Sequence, residues 1–313
     1  MSDSRSESHA DWVGRLRTLG EGAGFFKKLG ASHAAIFTDN GPTLLVTFET
    51  ITDINRLNAD QLPLGYHVAR DRGWSHLCIV AKSDTWYRDP SVFALFDRLD
   101  DGDFFDQFDD VVFYGAGMAG YAAAAFSVVA PGAVVIAVQP QATLDPRVAG
   151  WDPRFPHMWR TSFTDRYGFA PNMIEGAAAV FVIYDPEQNL DAMHAALFVR
   201  PHVTLLPCRN LGRDIGQSLV EMRILPSVLA AAATRSFDER LFRIFYRARR
   251  NYRPYLENLF RKLTADGRIY LAALLSRNAA IRLNSPEFRS RSAQLEQDLA
   301  VAGLRLPAPH VNK

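Results

Sequence analysis

The stretch of sequence that decides the fold is Val111-Val112-Phe113-Tyr114-Gly115-Ala116-Gly117-Met118-Ala119-Gly120-Tyr121. Its first four residues are apolar or aromatic, which is typical of a buried strand. The glycines that follow permit a tight turn, and the alanine-rich run Met118–Val129 predicts a helix that packs closely against a sheet. A strand, a tight turn and a helix in this order indicate an α/β protein.

Short apolar runs on both sides of this unit predict further buried strands, because Gly, Pro or Asp bounds each of them. They are Ala34–Phe37, Leu44–Phe48, Leu77–Ala81, Ala133–Val138, Ala178–Tyr184 and His202–Pro207. Helical patterns lie between them at Pro90–Leu99 and Leu190–Phe198. The alternation predicts a doubly wound, mostly parallel sheet with helices on its faces.

The pattern changes along the chain, and it predicts three regions. Residues 1–9 are polar and are expected to form a disordered tail, and residues 10–222 are expected to form the α/β domain. Strand patterns stop after about residue 222, so residues 223–313 are expected to form a C-terminal helical region. A weak helical pattern also runs from Ala10 to Lys28.

Composition excludes several classes of protein. Of the 313 residues, 48% are hydrophobic and 22% are charged, which is the balance of a folded globular protein. The net charge of +1 provides no field that attracts nucleic acid or an anionic membrane, so neither is an expected partner. The two cysteines, Cys78 and Cys208, lack metal-site spacing, so free thiols and no bound metal are expected. The polar N-terminus lacks the pattern of a secretory signal, which predicts a cytoplasmic protein.

The glycines at the turn also fit the pattern G-x-G-x-x-G, through Gly115, Gly117 and Gly120. After a strand and before a helix, this pattern is typical of NAD(P)- or FAD-binding proteins, in which backbone N–H groups approach a pyrophosphate. Several strands precede this turn, however, and the next strand ends in Val138-Gln139-Pro140 rather than in an acidic residue. A dinucleotide-dependent enzyme is therefore one of three hypotheses.

The second interpretation of the same turn is a nucleophile elbow. The run Phe113–Ala123 resembles bacterial α/β-hydrolase-like proteins in which the elbow reads Tyr-Gly-Ser-Ser-Met-Gly-Gly-Tyr. Further segments are similar to that family's next strand (Ala133–Val138), its acid-bearing segment (Tyr184-Asp185-Pro186, with Asp191 and His194) and its histidine loop (Leu211-Gly212-Arg213-Asp214). The resemblance covers residues 34–222 and implies an α/β-hydrolase-like fold.

The same resemblance implies that the serine mechanism is absent. Gly117 stands at the nucleophile position, and Arg213 stands in the loop that should carry the histidine base. A guanidinium cannot accept a proton near neutral pH, so Arg213 cannot replace that base. The acid position survives as Asp185 or Asp191, and with His194 these are the candidate catalytic residues. The N–H of Met118 would remain as the oxyanion donor.

Two loops that follow predicted strands carry further candidate ligand contacts, because loops at the carboxyl ends of parallel strands form a crevice. The first holds Trp86, Tyr87 and Arg88, and the second holds Gln139 and Gln141. Each has a structural alternative, since the aromatic residues could anchor their loop, Arg88 could pair with a nearby Asp, and the second loop could be an ordinary capped turn.

Two segments resemble bacterial proteins called phosphoadenosine phosphosulfate reductases, namely Trp86–Asp89 and Pro140–Pro146. Such reductases carry a Ser-Gly-Gly-x-Asp-Ser phosphate loop and a Glu-Cys-Gly-x-His motif. Neither occurs in this sequence, and no cysteine follows Cys208. The motifs therefore do not support that activity.

The sequence thus favours a degenerate hydrolase that binds a small polar or anionic ligand, or a partner, in the former active-site crevice. The candidate contacts in this crevice are Trp86, Tyr87, Arg88, Gly117, Met118, Gln139, Gln141 and Arg213. The first alternative is an active enzyme that transfers acyl, glycan or sulfur-containing groups through Asp185, Asp191 or His194. The second is the NAD(P)- or FAD-dependent enzyme. A protein partner or a second copy of the chain is compatible with the first hypothesis.

Overall fold

The strand that ends at the glycine turn lies in the middle of a sheet in the computed structural model, which describes residues 14, 17, 18, 24–57 and 60–308. Within these residues the sheet has eight strands, in the order β1-β2-β4-β3-β5-β6-β7-β8. The strands are β1 (Gly24–Leu29), β2 (His33–Thr38), β3 (Thr43–Thr50), β4 (Ser75–Ala81), β5 (Asp110–Ala116), β6 (Val134–Val138), β7 (Ala179–Tyr184) and β8 (Val203–Pro207). β2 is antiparallel to β1 and β4, and the other neighbouring strands are parallel. The predicted doubly wound, mostly parallel sheet is confirmed, and the fold is α/β-hydrolase-like.

Helices connect the strands and follow them. They are α1 (Ile51–Leu57), α2 (Leu64–Arg70), α3 (Pro90–Asp101), α4 (Met118–Phe126), α5 (Pro146–Ala149), α6 (Ala170–Met173), α7 (Asn189–Ala196), α8 (Ile215–Glu221), α9 (Leu225–Ala233), α10 (Glu239–Phe245), α11 (Arg253–Ala265), α12 (Ile269–Leu283) and α13 (Pro286–Val301). The predicted C-terminal helical region is therefore present from α9 to α13. None of the described helices is long and apolar enough to cross a bilayer.

The core lies on both faces of the sheet. One face packs against α3 and α4, where Phe48, Phe96 and Phe126 stack on one another. The other face packs against α2, α8 and α9, with Leu225 and Leu229 fully buried. Every residue of α4 is buried, which is possible because small alanines let this helix lie close to the sheet.

The N-terminal helical prediction is wrong from Gly24 onward, whereas the described residues 14, 17 and 18 are helical. Gly24–Leu29 forms the edge strand β1 and pairs with β2, for example at Phe25 opposite Phe37. The helical pattern was weak, and long-range strand pairing decided the conformation instead. The rest of that predicted helix lies largely outside the described residues, and the predicted tail at residues 1–9 lies wholly outside them. The boundary at residues 222 and 223 stays a prediction.

The close approach of α4 to the sheet predicts a steric limit at Gly115. A Cβ atom built on Gly115 would lie 2.0 Å from the carbonyl oxygen of Ala119, a backbone atom that cannot turn away. We expect Gly115→Ala to lower the free energy of unfolding by about 3 kcal/mol, because it overpacks a rigid backbone contact. Denaturant unfolding measures this value.

The control variant is Gly267→Ala. Gly267 has a positive φ, of +68°, which Gly115 lacks, and a Cβ atom there meets nothing within 4 Å among the described residues. We expect this change to cost about 1 kcal/mol, for the left-handed backbone alone. Equal losses in the two variants would contradict the proposed packing of α4.

Candidate functional site

The turn between β5 and α4, which the sequence analysis interpreted as an elbow, is a tight turn with a left-handed residue at its centre. Gly117 adopts φ 60° and ψ −125°, and its N–H donates to the carbonyl oxygen of Val138 at 2.8 Å. A Cβ atom on Gly120 would lie 2.7 Å from that same carbonyl oxygen, whereas one on Gly117 would meet nothing within 4 Å. Packing inside the protein therefore accounts for Gly115 and Gly120, and their spacing needs no nucleotide to explain it.

A cavity of about 450 Å³ lies above the elbow, at the carboxyl ends of the central strands. Six of the predicted ligand contacts line this cavity: Trp86, Gly117, Met118, Gln139, Gln141 and Arg213. Of the predicted catalytic residues, Asp191 lines it as well. The topology thus brings these side chains together, as expected for loops at one edge of a parallel sheet. Their roles toward a ligand stay predictions.

Tyr87 and Arg88 are absent from the cavity lining, and both are engaged elsewhere. The Tyr87 hydroxyl donates to the carbonyl oxygen of Glu49 at 2.9 Å. The Arg88 guanidinium, which is buried, forms an ion pair with Asp165 and donates to backbone oxygens of the loop 162–166. The structural alternative expected Arg88 to pair with a local Asp, but its partner lies 77 residues away, so the side chain fastens the loop 162–166 to the body.

Asp185, at the predicted acid position, is fully buried and also absent from the lining. Its two oxygens accept hydrogen bonds from the N–H groups of Glu187 at 2.9 Å and Gly212 at 2.8 Å. It therefore holds the backbone of the loop that carries Arg213. Arg213 itself is exposed and donates through Nε to Gln188 at 3.3 Å.

His194 and Asp191 belong to a buried polar network rather than to a free acid–base pair. His194 is completely buried; its Nδ1 accepts from the N–H of Ala142 at 3.1 Å, so Nε2 carries the proton that it shares with Asp152 at 3.0 Å. Arg154 binds Asp152 through two nitrogens and Asp191 at 2.6 Å. Both nitrogens of the imidazole are thus occupied.

Gln139 connects this network to the cavity wall. Its Nε2 donates to Asp191 at 2.9 Å, and its Oε1 accepts from the N–H of Ile215 at 2.8 Å. Gln139 has a positive φ of 47°, as Trp86 and Tyr87 have at 49° and 55°. Such conformations cost about 1–3 kcal/mol each, and they cluster at ligand sites more often than elsewhere.

Two buried polar atoms of the lining residues have no hydrogen-bond partner: Nε1 of Trp86 and Oε1 of Gln141. The Trp86 ring contacts Phe155 edge to face, with 4.6 Å between ring centroids. An unpaired buried acceptor or donor costs about 1–3 kcal/mol of stability. Both atoms therefore reduce the stability of the protein without a ligand.

The sequence did not single out Glu49, Tyr114, Arg154 or the helix α1, all of which line the cavity. Glu49 is buried, and burial raises the pKa of its carboxyl although the N–H groups of Gly65 and Leu64 oppose the shift. Glu49 is an acidic residue directly after the apolar strand pattern Leu44–Phe48. Its position at the carboxyl end of a predicted strand was the signal that could have identified it as a residue of the crevice.

Glu49, His76 and Cys78 place three potential metal-ligating atoms within 4.8 Å of one another, the single such group among the described residues. Burial lowers the pKa of His76 to about 3 and raises that of the Cys78 thiol, so the thiol keeps its proton. Both oxygens of Glu49 accept backbone hydrogen bonds, and His76 Nε2 contacts Thr47 at 2.9 Å. The chemistry is that of a hydrogen-bonded core cluster.

No protein-family model and no curated protein matches the sequence. The structure is distantly similar to a Pyrococcus furiosus esterase, at 13% identity over 67% of this chain and 90% of that chain, with a TM-score of 0.44. It is similar to a Pyrobaculum calidifontis esterase, at 12% identity over 73% and 93% of the chains with a TM-score of 0.43. It is also similar to the capsule O-acetyltransferase of Neisseria meningitidis serogroup A, at 10% identity over 67% and 98% with a TM-score of 0.38. Likenesses this distant say nothing about activity.

The orphaned oxygen of Gln141 leads to a test by substitution. Gln141→Met keeps the volume and removes the unpaired acceptor, at the loss of one long hydrogen bond of 3.3 Å. We expect the free energy of unfolding to rise by about 1 kcal/mol in the protein without ligand. Chemical denaturation provides the measurement.

Gln139→Met is the matched control on the same loop. Gln139 is equally buried but fully hydrogen-bonded, so its replacement leaves the N–H of Ile215 and an oxygen of Asp191 unpaired. We expect a loss of about 3 kcal/mol. Destabilisation by both substitutions would show that Gln141 is a structural residue.

The buried Asp152 predicts a pH-dependent contribution to stability. Burial alone would raise the pKa of its carboxyl, but hydrogen bonds from His194 and Arg154 outweigh burial and hold that pKa far below the usual 3.8. Because the folded pKa is depressed, the stabilisation is complete above pH 4 and is lost as the pH falls below the unfolded value. We expect Asp152→Asn to cost about 3 kcal/mol at pH 7 and clearly less at pH 3.

Unfolding free energies at both pH values check this expectation. Glu239→Gln breaks an exposed ion pair with Arg243 and should cost at most about 0.5 kcal/mol at pH 7. A cost for Asp152→Asn that did not fall between pH 7 and pH 3 would contradict the assigned role of the network.

Proposed function

We propose that this chain binds a small polar or anionic ligand in the cavity above the elbow and does not carry out serine-type acyl transfer. The observation that carries the proposal is Gly117, which holds the elbow backbone at φ 60° and ψ −125° and provides no reacting side chain. The cavity above this turn remains open.

The serine mechanism requires a nucleophile, a base and an orienting acid. The residues at all three positions support the proposal that this mechanism is absent. Gly117 has no side chain that could act as the nucleophile. Arg213 cannot act as the base, because its guanidinium stays protonated. Asp185 is occupied by backbone N–H groups of its own loop and the next one. An active enzyme that uses Asp191 or His194 finds less support, because both side chains are already engaged in hydrogen bonds.

The cavity itself supports ligand binding. Its volume of about 450 Å³ falls within the usual range of small-molecule sites, which are lined by apolar groups with a few placed polar ones. The wall combines Phe48, Trp86 and Phe155 with the polar groups of Gln141 and Arg213. Orphaned polar atoms and positive φ values cost stability in the free protein, and such costs are typical of functional sites.

The proposal predicts binding without reaction. We expect a fluorophosphonate probe to leave the wild-type protein unlabelled, since labelling requires an activated nucleophile. We also expect a ¹⁹F NMR screen of neutral, anionic and cationic polar fragments to give hits that Thr52→Trp weakens by about tenfold or more. Thr52 is an exposed residue of α1 that lines the cavity, so an indole there should obstruct the entrance.

Asn55→Trp is the matched control, because Asn55 is exposed on the same helix and does not line the cavity. It should leave fragment binding unchanged. An active serine esterase in the same reaction mixture verifies the fluorophosphonate probe. Labelling of the wild-type protein, or hits that the two tryptophan variants affect equally, would contradict the proposal.

A further inference from the structure

The floor of the cavity is the N-terminus of α4, a helix of nine residues. The first N–H groups of a helix have no intrahelical acceptor and carry a partial positive charge. Gly117, Met118 and Ala119 line the cavity at this point, and the N–H groups of Met118 and Ala119 make no hydrogen bond within the described residues. Two donors are therefore available to an anion there.

The absent side chain of Gly117 leaves room for such an anion. A Cβ atom at this position would meet nothing within 4 Å among the described residues, so the volume in which a nucleophile would stand is open to a ligand. A group with two oxygens can then occupy both the nucleophile's volume and the place beside the Met118 N–H.

A separate observation at the same floor points to a ligand. The Tyr114 side chain is only 5% exposed and lines the cavity, yet its hydroxyl makes no hydrogen bond within the described residues. Burial raises the pKa of this phenol, so it keeps its proton and remains a donor. The hydroxyl oxygen is not fully buried, so this donor is open to a ligand or a water molecule in the cavity, which would complete its hydrogen bonding.

The charges around the cavity select the kind of anion. Arg213 lines it from an exposed position, and its only hydrogen bond within the described residues is the Nε contact with Gln188. Five acidic residues also line it, namely Glu49, Asp53, Asp84, Asp191 and Asp214. Two further arginines of the lining partly balance them, because Arg56 pairs with Asp53 and Asp214 and Arg154 pairs with Asp191. These carboxyl groups disfavour a dianion such as phosphate more strongly than a monoanion.

We propose that the ligand is an organic carboxylate with an apolar or aromatic body, bound with its carboxylate above Gly117 at the N-terminus of α4. The Met118 N–H donates to the carboxylate, Arg213 provides the countercharge, and the body lies against Phe48, Trp86 and Phe155. This inference rests on the proposed function and names the class of ligand for it.

The test compares 4-fluorobenzoate with 4-fluorobenzamide, which has the same shape and no charge, by ¹⁹F NMR titration. We expect the wild-type protein to bind the benzoate about tenfold more tightly or better, because hydrogen bonds to a charged group are the stronger ones. Inorganic phosphate is titrated alongside as the dianion.

Two substitutions at one position isolate the N–H group. Met118→Ala and Met118→Pro both remove the side chain, but only proline removes the N–H, and proline is well tolerated at the first position of a helix. We expect Met118→Ala to bind 4-fluorobenzoate nearly as the wild type does and Met118→Pro to bind it about tenfold more weakly. Binding of the benzamide should not differ between the two variants.

A second variant, Arg213→Gln, keeps the inference testable if Met118→Pro does not fold, and it should weaken the benzoate selectively. Equal binding of benzoate and benzamide, tighter binding of phosphate, or equal benzoate binding by the two Met118 variants would overturn the carboxylate site. In those cases fragment hits that Thr52→Trp abolishes would still support the proposed function. Fluorophosphonate labelling would instead overturn the proposed function and leave the carboxylate result standing by itself.

Discussion

The close contact between α4 and the two central strands β5 and β6 is the constraint on which the rest of the structure depends. Gly115 and Gly120 permit it, because a Cβ atom at either position would press against a backbone carbonyl oxygen. The contact fixes the turn at Gly117, so the N-terminus of α4 lies at the carboxyl edge of the sheet. Since the cavity lies at that edge, its floor is a backbone feature, and it does not depend on which side chain residue 117 carries.

The polar residues that the sequence predicted to be catalytic hold the loops of the crevice together. Asp185 holds the loop after β8 through the N–H of Gly212. Asp191 and His194 join Arg154, Asp152 and Gln139 in a continuous network that links α7 to the loops after β6 and to α8. Breaking one partner of such a buried network leaves other polar groups unpaired, so its members depend on one another. The network therefore makes the wall of the cavity rigid.

The centre of the fold was predictable because its signals are local. A run of four apolar residues, small glycines and an alanine-rich helix identify β5, the elbow and α4 without reference to distant residues. The edge strand β1 and the seven-residue helix α1 were not predictable in this way. β1 gains its conformation from pairing with β2, and the seven residues of α1 make fewer than two turns, which is too few for a helical periodicity to be recognised.

The site was predictable only to the level of its loops. The positions of Trp86, Gln139, Gln141 and Arg213 directly after predicted strands placed them correctly at the carboxyl edge of the sheet, because parallel strands end at the same edge. It could not show that Arg88 turns away toward the loop at Asp165, or that Arg154 reaches back to Asp191 from 37 residues away. Those choices depend on which buried charge finds a partner, and that depends on tertiary packing.

Glycine at position 117 has two consequences for the turn. Glycine adopts the positive φ at position 117 without the strain that any other residue would bear there. It also leaves the donors of α4 in place, because the first N–H groups belong to the helix backbone and a substitution at position 117 does not remove them. A turn with glycine at this position provides no reacting side chain but keeps backbone donors that can bind negative charge. Such an elbow is suited to a stable anion, whose charge is present before binding and need not be created by a reaction.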